Sequence, residues 1–599
     1  MRSLSRLNKY FLKYKYHLLT GTLFIIISNW FAIYPARITR YAIDLIVQTL
    51  DKHSLVKGSP LENEYIHFLI ISIAFFAVIM FLFALAKGIF MFFMRQTIIV
   101  MSRHIEYDMK NEIYAHYQKL NLSFYKMHNT GDLMTRISED VSKVRMYIGP
   151  AVMYTINLVV LFVMVIIIMT DVNLKLTLYV LAPLPVMSVA IYYVNSMILR
   201  RSEAVQKKLS SMATFAQESF SGIRVIKSFN RTERFISDFS AESDQYRERN
   251  IRLMKIDALF FPIIMLLIGI STLLTIYLGG KEVMAGRISS GVIAEFIIYV
   301  NMLTWPVASV GWVTSLVQQA VASQNRINEF MDTVPEIRNE NTELYPIHGA
   351  ISFKNVNFIY PDTGIHALKD LSFEVKPGET IAITGRTGSG KSTIAQLLCR
   401  MYDVTSGNLE IDGKDIRQHN LGLLRDSSGY VPQEVILFSD TAYRNVLFGL
   451  PEDTNATSKV EQACKDADVY DNIVAFPEGF ETRIGERGLK LSGGQKQRIS
   501  IARAIIREPS LLIFDDCLSA VDTETEDKIL RNLLRVMEGR TTVLISHRIS
   551  TLRNADRILV LDSGAITEIG THDELMNRDG YYAETYRRQL KQEISSENS

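Results

Sequence analysis

Six long apolar runs leave this chain little choice of fold. They lie at about 18–34, 68–94, 148–169, 174–194, 259–278 and 288–310. Crossing a bilayer takes about 20 apolar residues. Inside hydrocarbon the backbone must satisfy its own hydrogen bonds, which for such runs means helices. Only Thr170-Asp171-Val172-Asn173 separates the third run from the fourth, which predicts a tight hairpin. A short link around Gly279-Gly280-Lys281 is expected between the fifth and sixth. The second and third runs are separated by about 50 polar and amphipathic residues, and the fourth and fifth by about 60, both helically patterned. Those stretches predict membrane helices that continue far into water on one side.

Charge says which side. Arg2, Arg6, Lys9, Lys13 and Lys15 precede the first run, and positive flanks stay in the cytoplasm. No small-residue cleavage site follows the run, so a signal peptide is not expected. An even number of crossings then returns residue 320 onward to the cytoplasm. Few charges fall inside the runs. Lys87 can snorkel. Glu295 is costly to bury unless it is paired or lines a wet cavity, so it is a candidate for a substrate path, with a place near the interface as the alternative. Asn29, Asn157 and Asn301 either line the same cavity or bond between helices.

From residue 350 the composition becomes that of a soluble α/β protein. A net charge of +2 over 599 residues implies no nucleic-acid partner. Cys399, Cys464 and Cys517 have no metal-ligand spacing and read as reduced cytosolic thiols. The chemistry starts at Gly385-Arg386-Thr387-Gly388-Ser389-Gly390-Lys391-Ser392-Thr393. A strand-like Glu379-Thr380-Ile381-Ala382-Ile383-Thr384 precedes it and a helix-like Ile394-Ala395-Gln396-Leu397 follows. This is a P-loop in its required context. The glycines turn backbone N–H groups toward phosphate at a helix N-terminus. Lys391 supplies a charge for the β- and γ-phosphates, and the Ser392 hydroxyl can ligate Mg²⁺. Tyr360 precedes the loop and can stack on an adenine. Leu491-Ser492-Gly493-Gly494-Gln495 opens a second helix, where paired glycines again allow close approach to an anion and Ser492 can donate to a γ-phosphate oxygen. Leu511-Leu512-Ile513-Phe514 leads into Asp515-Asp516. The first carboxylate can hold Mg²⁺, and the second can orient the attacking water. Ser519-Ala520-Val521-Asp522 follows, then His547 after another strand, placed to contact the γ-phosphate.

In this order, and with Tyr430-Val431-Pro432-Gln433 between the two glycine motifs, the set resembles the ATP-binding-cassette transporter family. Six spans fused ahead of one cassette resemble a half-size exporter of the multidrug and lipid-flippase type. Residues 123–140 resemble its first intracellular loop, 217–227 its second, and Thr482-Arg483-Ile484-Gly485-Glu486-Arg487-Gly488 the segment that meets them. The resemblance implies an all-α polytopic membrane domain over 1–325, a linker over 326–349, an α/β P-loop nucleotide-binding domain over 350–585 and a polar tail over 586–599. It implies ATP and Mg²⁺ as cofactors, with Tyr360 on the adenine and Ser392, Gln433 and Asp515 at the metal. Asp516, His547 and Gln433 form the catalytic set. Ser492, Gly493, Gly494, Gln495 and Asp522 serve a partner chain's ATP, so a second half-transporter is required. The family's alternating access would then move an amphipathic drug or lipid across the cytoplasmic (inner) membrane, with both termini and the ATP site in the cytoplasm and lipids as membrane partners.

One residue departs from the family pattern. Position 516 usually holds Glu. The carboxylate of Asp516 falls back by about an ångström, a displacement that can cost about 10²-fold in rate. Pairing with a different half-transporter is therefore favoured over a homodimer. An ATP-gated regulator or channel on the same fold is the alternative function. A peptide-processing exporter would need a cysteine protease domain, and no cysteine precedes Cys399. Import is not expected, because the family's importers usually keep membrane and cassette on separate chains.

Overall fold

The computed structural model describes residues 2–56, 58–60, 62–451, 456–485, 489–518 and 523–597. The chain forms two compact units, one of residues 1–117 and 131–332, the other of residues 118–130 and 333–599.

The first unit is helical. Its long helices are α1 (Lys15–Val56), α2 (Glu62–Tyr117), α3 (Val152–Leu181), α4 (Pro183–Ser221), α5 (Thr232–Met284) and α6 (Ser290–Met331). Among the described residues, 5 continuous helical stretches are long and apolar enough to cross a membrane. One of them, Thr130–Ser221, runs for 92 residues and is broken at Asn173, where φ is −162° and ψ is 105°. Each arm of that stretch has the length of a crossing. The Asn173 Oδ1 accepts a hydrogen bond from the Leu176 N–H at 2.9 Å, so Asn173 caps the following helix. The expected four-residue hairpin thus narrows to one residue.

The predicted link at Gly279-Gly280-Lys281 is corrected more fully. Helix α5 continues to Met284, and the connection lies at 285–289. A Cβ on Gly279 would sit 3.0 Å from Ile293 Cγ1. That glycine lets α5 and α6 approach closely, which is what small residues do between membrane helices. Helix α2 has 56 residues. At 1.5 Å per residue it is about 84 Å long, against about 30 Å of hydrocarbon, so much of it continues into water. Ile33, Met169, Leu176, Phe296 and Leu303 form part of a buried apolar core shared by the helices. Asp140, fully buried, accepts from Ser323 Oγ at 2.8 Å and Arg326 Nε at 2.9 Å and ties its segment to α6.

Residues 118–130, expected to belong to the membrane domain, fold with the second unit. Leu122 packs against that unit's core, and Asn121 Nδ2 donates to Glu336 Oε2 at 2.5 Å. Helix α6 passes the expected boundary at 325 and ends at Met331, while Tyr581–Glu597 is a helix where a polar tail was expected from 586.

The second unit is α/β. Its strands are β1 (Ile351–Ile359), β2 (His366–Val375), β3 (Thr380–Gly385), β4 (Ser406–Ile411), β5 (Lys414–Asp415), β6 (Ser428–Val431), β7 (Leu511–Asp515), β8 (Thr541–Ile545), β9 (Arg557–Asp562) and β10 (Ala565–Gly570). One sheet has the order β2-β1-β4-β5 and is antiparallel. The other has the order β10-β9-β3-β8-β7-β6, parallel except at β10. Every residue of β7 and β8 is buried, as expected for strands covered on both faces. Helix α7 (Lys391–Leu398) follows β3, and helix α8 (Gly493–Ile505) precedes β7.

Candidate nucleotide site

Parallel strands bring distant residues to one level. Ile383 of β3 pairs with Ile545 of β8, and Ile545 pairs with Asp515 of β7. Neighbouring strands lie about 4.8 Å apart, so the residues that follow these three ends converge. Loops at strand C-termini are where open α/β sheets bind ligands.

Two P-loop glycines are required by geometry. Gly385 has φ of 142°, and a Cβ there would lie 2.0 Å from the Leu561 carbonyl oxygen. Gly390 has φ of 99°, with a Cβ 2.5 Å from the Ala367 carbonyl oxygen. The loop they permit ends at the N-terminus of α7, whose first residue is Lys391. The Lys391 ammonium donates to the carbonyls of Gly385 at 3.0 Å and Arg386 at 2.8 Å. Burial holds its pKa below the usual lysine value, partly offset by Asp516 and Asp515. The Ser389 hydroxyl is buried and has no hydrogen-bond partner among the described residues, as suits a donor placed for phosphate. The Arg386 side chain turns away, its guanidinium 5.8 Å from the Tyr581 ring centroid.

Ser392 Oγ donates to Asp515 Oδ1 at 3.0 Å. Burial pushes the Asp515 carboxyl up to about 6, against the lowering effect of the Ser392 bond. A buried carboxylate beside a hydroxyl, with the Gln433 amide in the same cavity, is a hard-oxygen set that fits Mg²⁺, which takes one or two carboxylates and completes its shell from phosphate and water. Asp516 has φ of 47°, and its N–H donates to the Ile545 carbonyl at 2.8 Å. His547 lies below its usual pKa, first through burial and then through Lys391.

Tyr360, Lys391, Ser392, Gln433, Asp516 and His547 all line one cavity of about 310 Å³. Thr387, Gly388, Gly390, Thr393 and Asp515 share it. Sequence reasoning missed Ile365, Ala367 and Ile545, which complete its wall. They are ordinary apolar residues with no local signal. Tyr360 donates or accepts at Thr393 Oγ1, 2.9 Å away, so its ring is fixed to the P-loop helix.

None of Ser492, Gly493, Gly494 and Gln495 lines this cavity. They form a helix N-terminus of their own. Ser492 Oγ accepts from the Gln495 N–H at 3.2 Å, and Gln495 Oε1 accepts from the Ser492 N–H at 3.0 Å, a reciprocal cap. Ser492 and Gly493 are exposed. Asp522, the preceding 519–521 and residues 486–488 lie outside the described residues.

Glu295, in the first unit, is fully buried. Tyr299 donates to its Oε1 at 2.8 Å, Arg40 Nη1 to its Oε2 at 3.3 Å, and Arg37 Nε lies 3.8 Å away. Asn29 bonds Asn157 across helices at 3.0 Å, and Asn301 bonds its own helix at the Ile297 carbonyl. Lys87 is exposed.

Comparison with known proteins gives a consistent picture. Residues 18–307 match the family described as ABC transporter transmembrane region, and residues 368–519 match ABC transporter. The chain is 36% identical to the multidrug resistance-like ATP-binding protein MdlA of Escherichia coli over 82% of each chain. It is 35% identical to the ATP-dependent lipid A-core flippase of Syntrophus aciditrophicus, over 85% of this chain and 84% of that one. A solved bacterial Atm1-family ABC exporter with ATP bound aligns with a TM-score of 0.75 and 27% identity, covering 96% of this chain and 99% of that one. None of these names describes a gated channel or regulator, the alternative raised by the sequence.

Proposed function

The chain belongs to the ATP-binding-cassette transporters, as a half-transporter that couples ATP hydrolysis to export, and we propose that it moves an amphipathic drug or lipid out of the inner leaflet as one half of a two-chain machine. The observation that carries the reading is the divided site. Lys391, Ser392, Asp515, Asp516 and His547 share one cavity, while Ser492-Gly493-Gly494-Gln495 of the same chain lies outside it. A helix N-terminus that keeps an exposed glycine beside its side-chain cap is suited to an anion. A second chain supplies that anion, the γ-phosphate of its own bound ATP.

Each residue then has a task. Tyr360 stacks on the adenine, the P-loop N–H groups and Lys391 hold phosphate, and Ser392, Gln433 and Asp515 hold Mg²⁺. Mg²⁺ held there would neutralise phosphate charge. Asp516 orients the attacking water and takes its proton, and His547 contacts the γ-phosphate. Asp516 reaches about an ångström less far than the usual glutamate, so this chain's own site is the slow one of an asymmetric pair, and its intact Ser492–Gln495 cap serves the partner's fast site. Apolar side chains such as Phe81, Leu82 and Phe92 are exposed on α2, a surface suited to lipid. The basic N-terminal flank keeps both termini and the ATP site in the cytoplasm.

Glu295 takes a different place in this proposal. Its charge is answered by two guanidiniums, so it ties α6 to α1 instead of meeting a cationic substrate. Glu295→Gln leaves Arg37 only Asp171 and Arg40 only Asp44 as carboxylate neighbours among the described residues and is expected to cost about 2 kcal/mol of stability. A lowered unfolding midpoint in nanodiscs checks this, and an unchanged midpoint with altered substrate choice would return Glu295 to the substrate path.

Transport itself is tested in proteoliposomes holding this chain with a co-expressed second half-transporter. The expected result is ATP-dependent, one-directional movement of a fluorescent amphiphile or labelled phospholipid. Passive flux in both directions, merely opened by ATP, would overturn export.

A further inference from the structure

Resting on the adenine reading of Tyr360, we propose that Lys126 is a positioning residue of the nucleotide site: its ammonium backs the Tyr360 ring on the face away from the cavity and strengthens adenine stacking on the other. Lys126 Nζ lies 4.6 Å from the Tyr360 ring centroid and 5.3 Å from that of Tyr402. The two rings meet edge to face, 5.7 Å apart at 88°. Together they make an aromatic seat for one cation. Among the described residues Lys126 makes no ion pair, although its side chain is exposed. The rings, not a carboxylate, are what it meets.

The ring cannot swing away from this contact. Its hydroxyl is held at Thr393 Oγ1, 2.9 Å, and donates to Gln396 Oε1 at 3.3 Å, both on α7. The residue that presents the lysine is also anchored. Lys126 lies on the short helix Leu122–Met127. That segment is fixed to the unit through the Leu122 packing and the Asn121–Glu336 bond. Tyr360 lines the nucleotide cavity, and neither Lys126 nor Tyr402 does. The proposal accordingly places the cation and the base on opposite faces of the ring.

A cation over one face of an aromatic ring draws π density toward itself. The opposite face becomes less negative. An adenine, itself rich in π density, then stacks against it with less repulsion. The coupling is reciprocal: whatever Lys126 adds to adenine binding, adenine adds to the docking of Lys126. The segment 118–130 follows directly on Tyr117, the last residue of α2. The base is what is read, so the effect belongs to adenine and not to the phosphates.

The test measures equilibrium binding of ATP and of inorganic tripolyphosphate to the full chain in nanodiscs. The variants are Lys126→Met, Lys126→Gln, Lys126→Arg, Tyr360→Ala and Lys126→Met/Tyr360→Ala. Lys126→Met and Lys126→Gln are expected to raise the Kd for ATP about three- to tenfold, to leave that for tripolyphosphate unchanged, and to add nothing once Tyr360 is alanine. Lys126→Arg restores ATP affinity, which a purely structural role for the lysine stem would not require. Equal losses for ATP and tripolyphosphate would mean that the charge acts on phosphate, and the proposal fails. An unchanged ATP Kd in Lys126→Met and Lys126→Gln, with a clear loss in Tyr360→Ala, would overturn the proposal and leave adenine stacking standing. An unchanged ATP Kd in Tyr360→Ala would overturn the stacking reading itself, and this inference with it.

Discussion

Replacing Lys391 by alanine is expected to lower ATP turnover at this chain's site by at least about 100-fold, the scale on which one aimed donor acts in a water-poor site. The side chain is only 6% exposed, and its ammonium donates to the Gly385 and Arg386 carbonyls. Phosphate would draw the same ammonium onto a full negative charge. Among the described residues, nothing else lining the cavity is a lysine or arginine. The substitution is also a clean one. Burial already lowers the Lys391 pKa, so the charged form is held at a cost that truncation removes. Truncation also removes the two donors to the Gly385 and Arg386 carbonyls, so the two effects oppose and the melting temperature is expected to change little while turnover collapses. Loss of both would mean a folding defect. Sustained turnover would refute the phosphate role of Lys391.

Asp516→Glu is expected to move turnover the other way, raising it about 10- to 100-fold at this chain's own site, read with a co-expressed partner half whose own P-loop lysine is replaced. The backbone cannot advance to make up for the short side chain. The Asp516 N–H is bonded to the Ile545 carbonyl at 2.8 Å, and its φ of 47° belongs to the sparsely used left-handed region. Reach must therefore come from the side chain, and one methylene supplies about the missing ångström. Asp516→Asn keeps the size and loses the basic oxygen, so it should abolish what turnover there is. ATPase rates of the three forms, measured together, check the argument. A glutamate variant no faster than the parent would sink the short-carboxylate account.

The nucleotide site was legible because its parts are local. A strand, a glycine loop and a helix in sequence give Lys391 and Ser392, and a buried run ending in Asp515-Asp516 gives a strand end. That these ends lie side by side depends on the order β3-β8-β7, which spacing in the chain does not state. The membrane spans were legible for the same reason, as long apolar runs. Their turns were not. Gly279-Gly280 resembles a link by composition, yet glycine serves equally where two helices touch, and contact with Ile293 is not a local property. The helix Leu122–Met127 shows the same limit. Its amphipathic pattern predicts a helix without saying which unit buries Leu122. Lys126 carried no signal, because one lysine among many is told apart only by the rings it meets. Glu295 was noticed as a charge in an apolar run, but Arg37 and Arg40, which answer it, are remote in sequence.

The central claim is that a complete fast ATP site needs a second, different half-transporter. Steady-state ATPase of this chain, purified alone in lipid nanodiscs with its oligomeric mass determined on the same sample, tests it most directly. The account predicts a monomer or a nearly inert dimer that gains full turnover only with a co-expressed partner half. A homodimer of this chain hydrolysing ATP at full rate, and losing that rate on Lys391→Ala, would contradict it.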